Sequence, residues 1–319
     1  MVNMNLISLF SGAGGLDKGF HKAGFKTMVA NEFDKKICPT FKANFPNTRL
    51  IEGDIRNIPS DAFPDHVTGI IGGPPCQGFS IAGKRIVNDD RNKLYKGFVR
   101  MVEYFKPKAF VMENVPNILS IGDGAVRETI INDFKSLGYT VETKVLTASD
   151  YGVPQNRRRA VFVGLTKGNF DFDIPMVAEK VTTEEALSDL PEQSIEDGGK
   201  YSVESTSGYQ KLMRINSIGV YNHEVTQHNE QTVRIISMVP DGGNYKDLPK
   251  EFQETRKVHI AWTRLNSKRP SITIDTGHRH HFHYKWNRVP TVRESARIQS
   301  FPDDFISVSY THLTLPTIA

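Results

Sequence analysis

Short apolar runs separated by stretches of helical spacing fill the first half of the chain. Leu6 to Phe10 is apolar and gives way to Ser11-Gly12-Ala13-Gly14-Gly15, with a helical pattern behind it. Thr27 to Ala30 is strand-like and ends at Asn31-Glu32, and Asp34 to Asn44 has the spacing of a helix. Val67 to Ile71 is a further apolar run. Leu94 to Phe105 repeats helically and stops at Pro107, and Ala109 to Met112 ends at Glu113-Asn114. Val141 to Leu146 and Ala160 to Leu165 read as two more strands. Strands alternating with helices predict a parallel sheet with crossover helices, an α/β doubly wound fold. The regularity fades after Leu165. From about Val181 to Tyr284 the chain is polar, rich in Ser, Thr and Asn, and broken by glycines such as Asp241-Gly242-Gly243, which predicts a second, smaller domain.

Composition narrows the class. With 319 residues the chain can bury a large core, and 38% hydrophobic and 24% charged residues are ordinary for a soluble protein. Two cysteines make neither a disulfide framework nor a metal-binding pair, so a reducing cytoplasm is expected. No run reaches the roughly 18 apolar residues of a membrane span, and the start lacks the basic region of a signal peptide. A net charge of +4 and a pI near 8.9 permit a polyanionic partner without requiring one.

Ligands of doubly wound sheets bind over the carboxyl ends of the strands, and the candidate chemistry collects there. Cys76 follows Pro74-Pro75 at the end of the Val67 to Ile71 run, where a fixed turn holds a thiol in place. Its glycine, proline and polar neighbours favour a nucleophile over a buried hydrophobe, whereas Cys38, in a helical stretch, suits the hydrophobe. Gly12 and Gly14 open a turn like a dinucleotide fingerprint, but Asp17 stands at the third glycine position, so phosphate cradling is weak. Glu32 is placed to accept ribose hydroxyls, and Gly53-Asp54-Ile55 adds a second acid. A nucleoside cofactor without a pyrophosphate fits this set, which points to S-adenosylmethionine before NAD. Glu113, a carboxylate at a strand tip between apolar residues, is a candidate proton donor. Arg157 and Arg159, alternate residues of an extended segment, share one face.

These pieces in this order resemble the DNA (cytosine-5)-methyltransferases of the bacterial and phage restriction–modification type. The resemblance rests on Phe10-Ser11-Gly12-Ala13-Gly14-Gly15, Asn31-Glu32, Gly53-Asp54-Ile55, Gly73-Pro74-Pro75-Cys76-Gln77-Gly78-Phe79-Ser80, Glu113-Asn114-Val115, Gln155-Asn156-Arg157-Arg158-Arg159, and Arg293-Glu294-Ser295-Ala296-Arg297-Ile298-Gln299-Ser300-Phe301-Pro302. It implies a Rossmann-like S-adenosylmethionine-dependent sheet over 1–178, a smaller target-recognition domain over 179–286, and a return to the catalytic domain over 287–306. It also implies the site. Cys76 adds to carbon 6 of cytosine, Glu113 contacts ring nitrogen 3, and Arg157 and Arg159 hold the exocyclic oxygen. Phe10, Gly12, Gly14, Gly15, Glu32, Asp54, Ile55 and Pro75 serve the cofactor. Double-stranded DNA is the partner, with Gln77, Ser80, Lys84, Arg85, Arg279 and His281 as candidate contacts. The histidines between His278 and His283 read as DNA contacts before metal ligands, because no cysteine or carboxylate cluster joins them.

One departure from the pattern matters. The family's closing Gly-Asn-x-Val-Pro block is found nowhere in the chain, and 307–319 fits no part of the pattern. The expectation is therefore a truncated gene with a non-native tail. Two alternatives stay open: a catalytically impaired remnant that binds DNA, and a transfer-RNA methylating relative, against which the large recognition insert argues. A monomer in the cytoplasm of a bacterium, with any cognate restriction endonuclease acting separately, completes the expectation.

Overall fold

The computed structural model describes residues 4–64, 66–75, 92–253, 262–274 and 281–308. Among these, two compact units form. The first comprises 4–146 and 158–174, the second 147–157 and 175–308.

The first unit is built on seven strands: β1 (Asn5–Leu9), β2 (Lys26–Glu32), β3 (Arg49–Glu52), β4 (Gly69–Gly72), β5 (Ala109–Asn114), β6 (Thr140–Thr147) and β7 (Arg158–Leu165). They lie in the order β3-β2-β1-β4-β5-β7-β6. Pairings of β1 with β2 and β4, β2 with β3, and β4 with β5 are parallel, whereas β5 and β7 run antiparallel. The all-parallel expectation thus fails at one strand. The link before β7 carries only a 3-10 turn, Ala148–Tyr151, and a parallel return needs a longer crossover.

Helices α1 (Gly15–Lys22), α2 (Cys38–Asn44), α3 (Asn92–Phe105) and α4 (Ala125–Ser136) connect the strands. In α4 the buried residues Val126, Ile130 and Phe134 recur every four positions and form one stripe. Phe98 of α3, Phe110 of β5 and Phe134 pack together in the main core, which also takes Ile7, Leu9, Ile70 and Phe162. Phe110 stands opposite Gly164 in the β5–β7 register, and a Cβ at Gly164 would lie 1.9 Å from its ring. The glycine is there because the ring lies across the neighbouring strand.

The second unit contains α5 (Thr183–Leu187), α6 (Gly208–Arg214), α7 (Glu230–Ser237), α8 (Lys250–Gln253), α9 (Val292–Ile298) and a short parallel pair, β8 (Thr263–Arg264) with β9 (His281–Phe282). Its short elements bury two apolar clusters, one around Leu187, Tyr209, Met213 and Leu265 and one around Ile236, Val239, Leu248 and Phe282, and buried ions supplement them. Arg297, fully buried in α9, donates to Asp189 at 2.8 Å and to Asp303 at 2.6 Å, and Arg214 pairs with Asp189 at 2.5 Å. Arg293 donates to the carbonyls of Tyr221, Pro302 and Phe305. Glu294 holds both forks of Arg288 and also accepts the amide of Thr291, the N-cap of α9. Arg264 donates to the carbonyls of Ile236, Val239, His283 and Trp286 and to Asn287 Oδ1. The Asn222 side chain grips both backbone groups of Ser307.

Removing one partner of such a network leaves buried charge less well compensated. Arg297→Ala leaves Asp189 with Arg214 alone and Asp303 with the more distant Arg293 and the Tyr201 hydroxyl, and is expected to cost about 3 kcal/mol, read from urea unfolding monitored in the second unit. Acid should also weaken this unit. Burial pushes the His283 imidazole down to about 4 and holds His223 below its ordinary value. Between the unfolded value, about 6.5, and the folded values, the unfolded chain binds more protons than the fold. Stability is therefore full above that window and falls as pH drops through it, by up to about 1.4 kcal/mol per pH unit for each histidine. Urea midpoints at pH 7 and pH 5 should differ, and His283→Gln should reduce the difference.

Candidate active site

The parallel strands bring their carboxyl ends to one edge of the first unit. After β1 the chain turns sharply, with positive φ at Phe10 (54°), Gly12 (57°) and Gly14 (90°). The Gly14 amide donates to Ser11 O at 2.9 Å, and the Ser11 amide to Asn31 O at 3.0 Å. A Cβ on Gly14 would lie 2.1 Å from the Phe45 ring, so no larger residue fits. Phe10 holds a left-handed conformation without being glycine, a local strain of the kind that clusters at binding sites.

At the tip of β2, Glu32 accepts the Gly12 amide on one oxygen and the Asp34 amide on the other, each at 2.7 Å. Burial raises its carboxyl pKa, and these amide bonds work against the rise. The Phe33 amide adds a third such bond, and the carboxylate keeps acceptor capacity for a further donor. The next residue, Phe33, is 68% exposed. Asn31, on the opposite face, donates through Nδ2 to Ile51 O and Gly53 O at 2.9 Å, which fixes the turn after β3. In that turn Asp54 caps the 3-10 segment Ile55–Asn57 and pairs with the Arg56 guanidinium, which holds its carboxyl below the usual range. Ile55 is buried against Gly97 of α3, and its carbonyl accepts from Arg100 at 2.7 Å.

The tips of β4 and β5 meet. Asn114 donates to Pro74 O at 2.8 Å and accepts the Val115 amide at 2.9 Å, which pins the Pro74-Pro75 turn. Beside it, Glu113 Oε1 takes the Arg159 Nε–H at 2.6 Å. Register explains the pair. Glu113 stands opposite Val161, so Arg159 is its diagonal neighbour on the same face. Gly73 lies under this carboxylate, since a Cβ there would sit 3.3 Å from Glu113 Oε2. Pro75 is half-buried at the end of the described turn.

Cys76, Gln77, Ser80, Lys84, Arg85 and Arg279 lie outside the described residues. Arg157 belongs to the second unit, half-buried, its carbonyl accepting the Ala148 amide. His281 is buried in β9. Cys38 is buried, donates Sγ–H to Asp34 O, and has its thiol pushed up to about 11 by burial, which leaves it inert. Three residues of the edge were not singled out by sequence: Asn31, Asn114 and Phe33. The signal was present in the adjacency of an asparagine to an acid at two strand tips, since alternation sends the pair to opposite faces.

The edge thus offers two kinds of chemistry. A glycine turn with a ribose-type carboxylate suits a nucleoside, and a carboxylate–guanidinium pair beside a fixed turn suits a planar ring with an amide-like edge.

Comparison with known proteins agrees with this arrangement. The family model of the C-5 cytosine-specific DNA methylases matches residues 4–315. The type II methyltransferase M1.HphI of Haemophilus parahaemolyticus is 37% identical over 314 residues, covering 96% of this chain and 79% of the relative. M.DdeI of Desulfomicrobium norvegicum is 38% identical over 330 residues, covering 95% and 80%. Among solved structures, a protein described as a DNA modification methyltransferase from an Escherichia coli prophage superimposes with a TM-score of 0.79 at 28% identity, covering 99% of this chain and 93% of that one. The Entamoeba histolytica methyltransferase EhMeth shares the fold, with a TM-score of 0.60 at 14% identity over 100% of this chain and 93% of its own. On the family match over nearly the whole sequence and the identity to these relatives, the chain belongs to the C-5 cytosine-specific DNA methylases, of the restriction–modification type.

Proposed function

We propose that the protein methylates carbon 5 of a cytosine flipped out of a short, specific duplex sequence, through a covalent adduct on Cys76. The observation that carries this reading is the Glu113–Arg159 pair next to the pinned Pro74-Pro75 turn that leads into Cys76. Carbon 5 of cytosine is a poor nucleophile, and a stacked base exposes neither face, so the base must leave the helix. Attack of the Cys76 thiolate on carbon 6 makes carbon 5 electron-rich. Glu113 contacts ring nitrogen 3 and stabilises or protonates it as the sulfur–carbon bond forms. Arg159 orients Glu113 and, with Arg157, holds the exocyclic oxygen. After methylation, loss of the carbon 5 proton and cleavage of the sulfur–carbon bond release the product.

S-adenosylmethionine, when bound, supplies an electrophilic methyl group on a sulfonium. The residues present fit it. Glu32 has acceptor capacity for a ribose hydroxyl, Phe10 and the exposed Phe33 offer faces to the adenine ring, and Asp54 stands for the adenine amine. The Gly12–Gly15 turn takes the methionine portion, with Ile55 and Pro75 closing the pocket. Duplex DNA is the partner, contacted by Gln77, Ser80, Lys84, Arg85 and Arg279. A separate cognate endonuclease, a monomeric state and a bacterial or phage cytoplasmic setting belong to the same reading.

Incubation with S-adenosylmethionine and a mixed-sequence duplex, followed by bisulfite sequencing, should leave protected cytosines in one short context. Cys76→Ala should abolish protection while leaving DNA binding intact, whereas protection that persists in this variant would sink the covalent mechanism. Glu113→Gln should slow methyl transfer by about 10²–10⁴-fold. Gly14→Ala drives a Cβ into the Phe45 ring and strains the turn, at about 1–3 kcal/mol. Its expected signature is weaker S-adenosylmethionine binding by calorimetry and a lower melting temperature.

A further inference from the structure

Asp17 is the residue that breaks the dinucleotide fingerprint, and none of the roles above uses it. It is the third residue of α1, directly behind the glycine turn, and it is fully buried. Ser8 of β1 donates its hydroxyl to Oδ2 at 2.9 Å, and Thr27 of β2 donates to Oδ1 at 2.8 Å. The amide of Asp17 itself adds a further hydrogen bond. Gly14, the cap of α1, contributes no side-chain hydrogen bond to the helix end. Burial pushes the Asp17 carboxyl up to about 6, so at neutral pH it is ionised.

Two physical points follow. A helix start beneath a glycine turn ordinarily attracts an anion, through its free amides and its dipole. Here a carboxylate on the first turn of the helix already satisfies that end, so a phosphate has nothing to gain. Second, Asp17 forms no ion pair among the described residues, and a buried carboxylate held by two hydroxyls without a counter-ion is costly. A cation arriving on the other side of the turn would offset that cost.

We propose that the Asp17 carboxylate sets the charge preference of the glycine turn, favouring S-adenosylmethionine, with its sulfonium, over the neutral S-adenosylhomocysteine left after methyl transfer. This rests on the cofactor reading above. The two molecules share the adenosine, the ammonium and the carboxylate and differ by the methyl group with its positive charge, so their affinity ratio isolates the effect. Exchange of product for fresh cofactor is favoured in the same measure.

The test is calorimetric titration of the full chain with each molecule in the absence of DNA. Wild type gives the reference ratio of the two affinities. Asp17→Asn, which keeps the shape and removes the charge, should weaken S-adenosylmethionine by about five- to tenfold and leave S-adenosylhomocysteine nearly unchanged, the size of coupling expected between well-separated unit charges at an effective dielectric of about 20. Ser8→Ala and Thr27→Val keep the charge and loosen the brace, so they should weaken both ligands by the same factor. Equal weakening of both ligands in Asp17→Asn would reduce Asp17 to a brace and overturn the proposal. Failure of wild type to bind either molecule would instead overturn the cofactor reading. Should Asp17→Asn not fold, wild type measured at pH 8 and pH 5.5 serves in its place, with a ratio shifted toward S-adenosylhomocysteine at the lower pH expected and an unchanged ratio overturning the proposal. The other titratable or charged groups on the elements around Asp17 are Lys18, His21 and Lys22 of α1 and Lys26 and Glu32 of β2. Burial holds His21 below its ordinary value and raises the Glu32 carboxyl, which serves the ribose common to both ligands.

Discussion

The antiparallel register of β7 against β5 is the constraint on which the chemistry of the first unit depends. Parallel strands deliver only their carboxyl ends to the binding edge. An antiparallel strand delivers its beginning, so a residue that starts β7 reaches the same edge as one that finishes β5. Arg159 and Glu113, far apart in sequence, become diagonal neighbours on one face for that reason alone. A parallel β7 would carry Arg159 to the opposite edge. Holding a carboxylate against a guanidinium in a half-buried cleft fixes both before any substrate arrives.

The same economy appears at the neighbouring tips. In Asn31-Glu32 and Glu113-Asn114, alternation points the acid one way and the amide the other. Each asparagine pins the backbone of the adjacent strand's turn while its acid partner faces the edge. Geometry at the site therefore comes from strand register and backbone hydrogen bonds, both harder to deform than long flexible side chains. The second unit solves a different problem. With short helices and, among the described residues, a two-residue strand pair, it ties its apolar clusters together with guanidinium groups buried against carboxylates and carbonyls.

Much of the first unit was legible in the sequence because its strands are buried runs bounded by glycine, proline and acid–amide pairs. Glu32, Asp54 and Glu113 were legible as candidates because each sits where a run ends, and Arg159 because it sits just before one. The direction of β7 was not, since an apolar run carries no arrow; only the length of its incoming link bears on it. Ile55 reads as a site residue from its motif, while in the fold its side chain belongs to the core. In the second unit the apolar periodicity that guides a reading is replaced by pairs such as Arg297 and Asp189, 108 positions apart, which leave no local pattern. Polar composition there reads as loop and surface, yet several of those polar groups are the interior.

Arg264 shows what such an interior permits. Four of the five groups it binds are main-chain carbonyls, at Ile236, Val239, His283 and Trp286. A carbonyl is the same at every residue, so this anchor is indifferent to which side chains are carried at those positions. Ile236, Val239 and His283 are themselves buried, so a substitution there repacks the interior around the guanidinium without removing its acceptors. Change in the packing around Arg264 is thereby uncoupled from loss of its bonds, and lineages can alter this interior one side chain at a time.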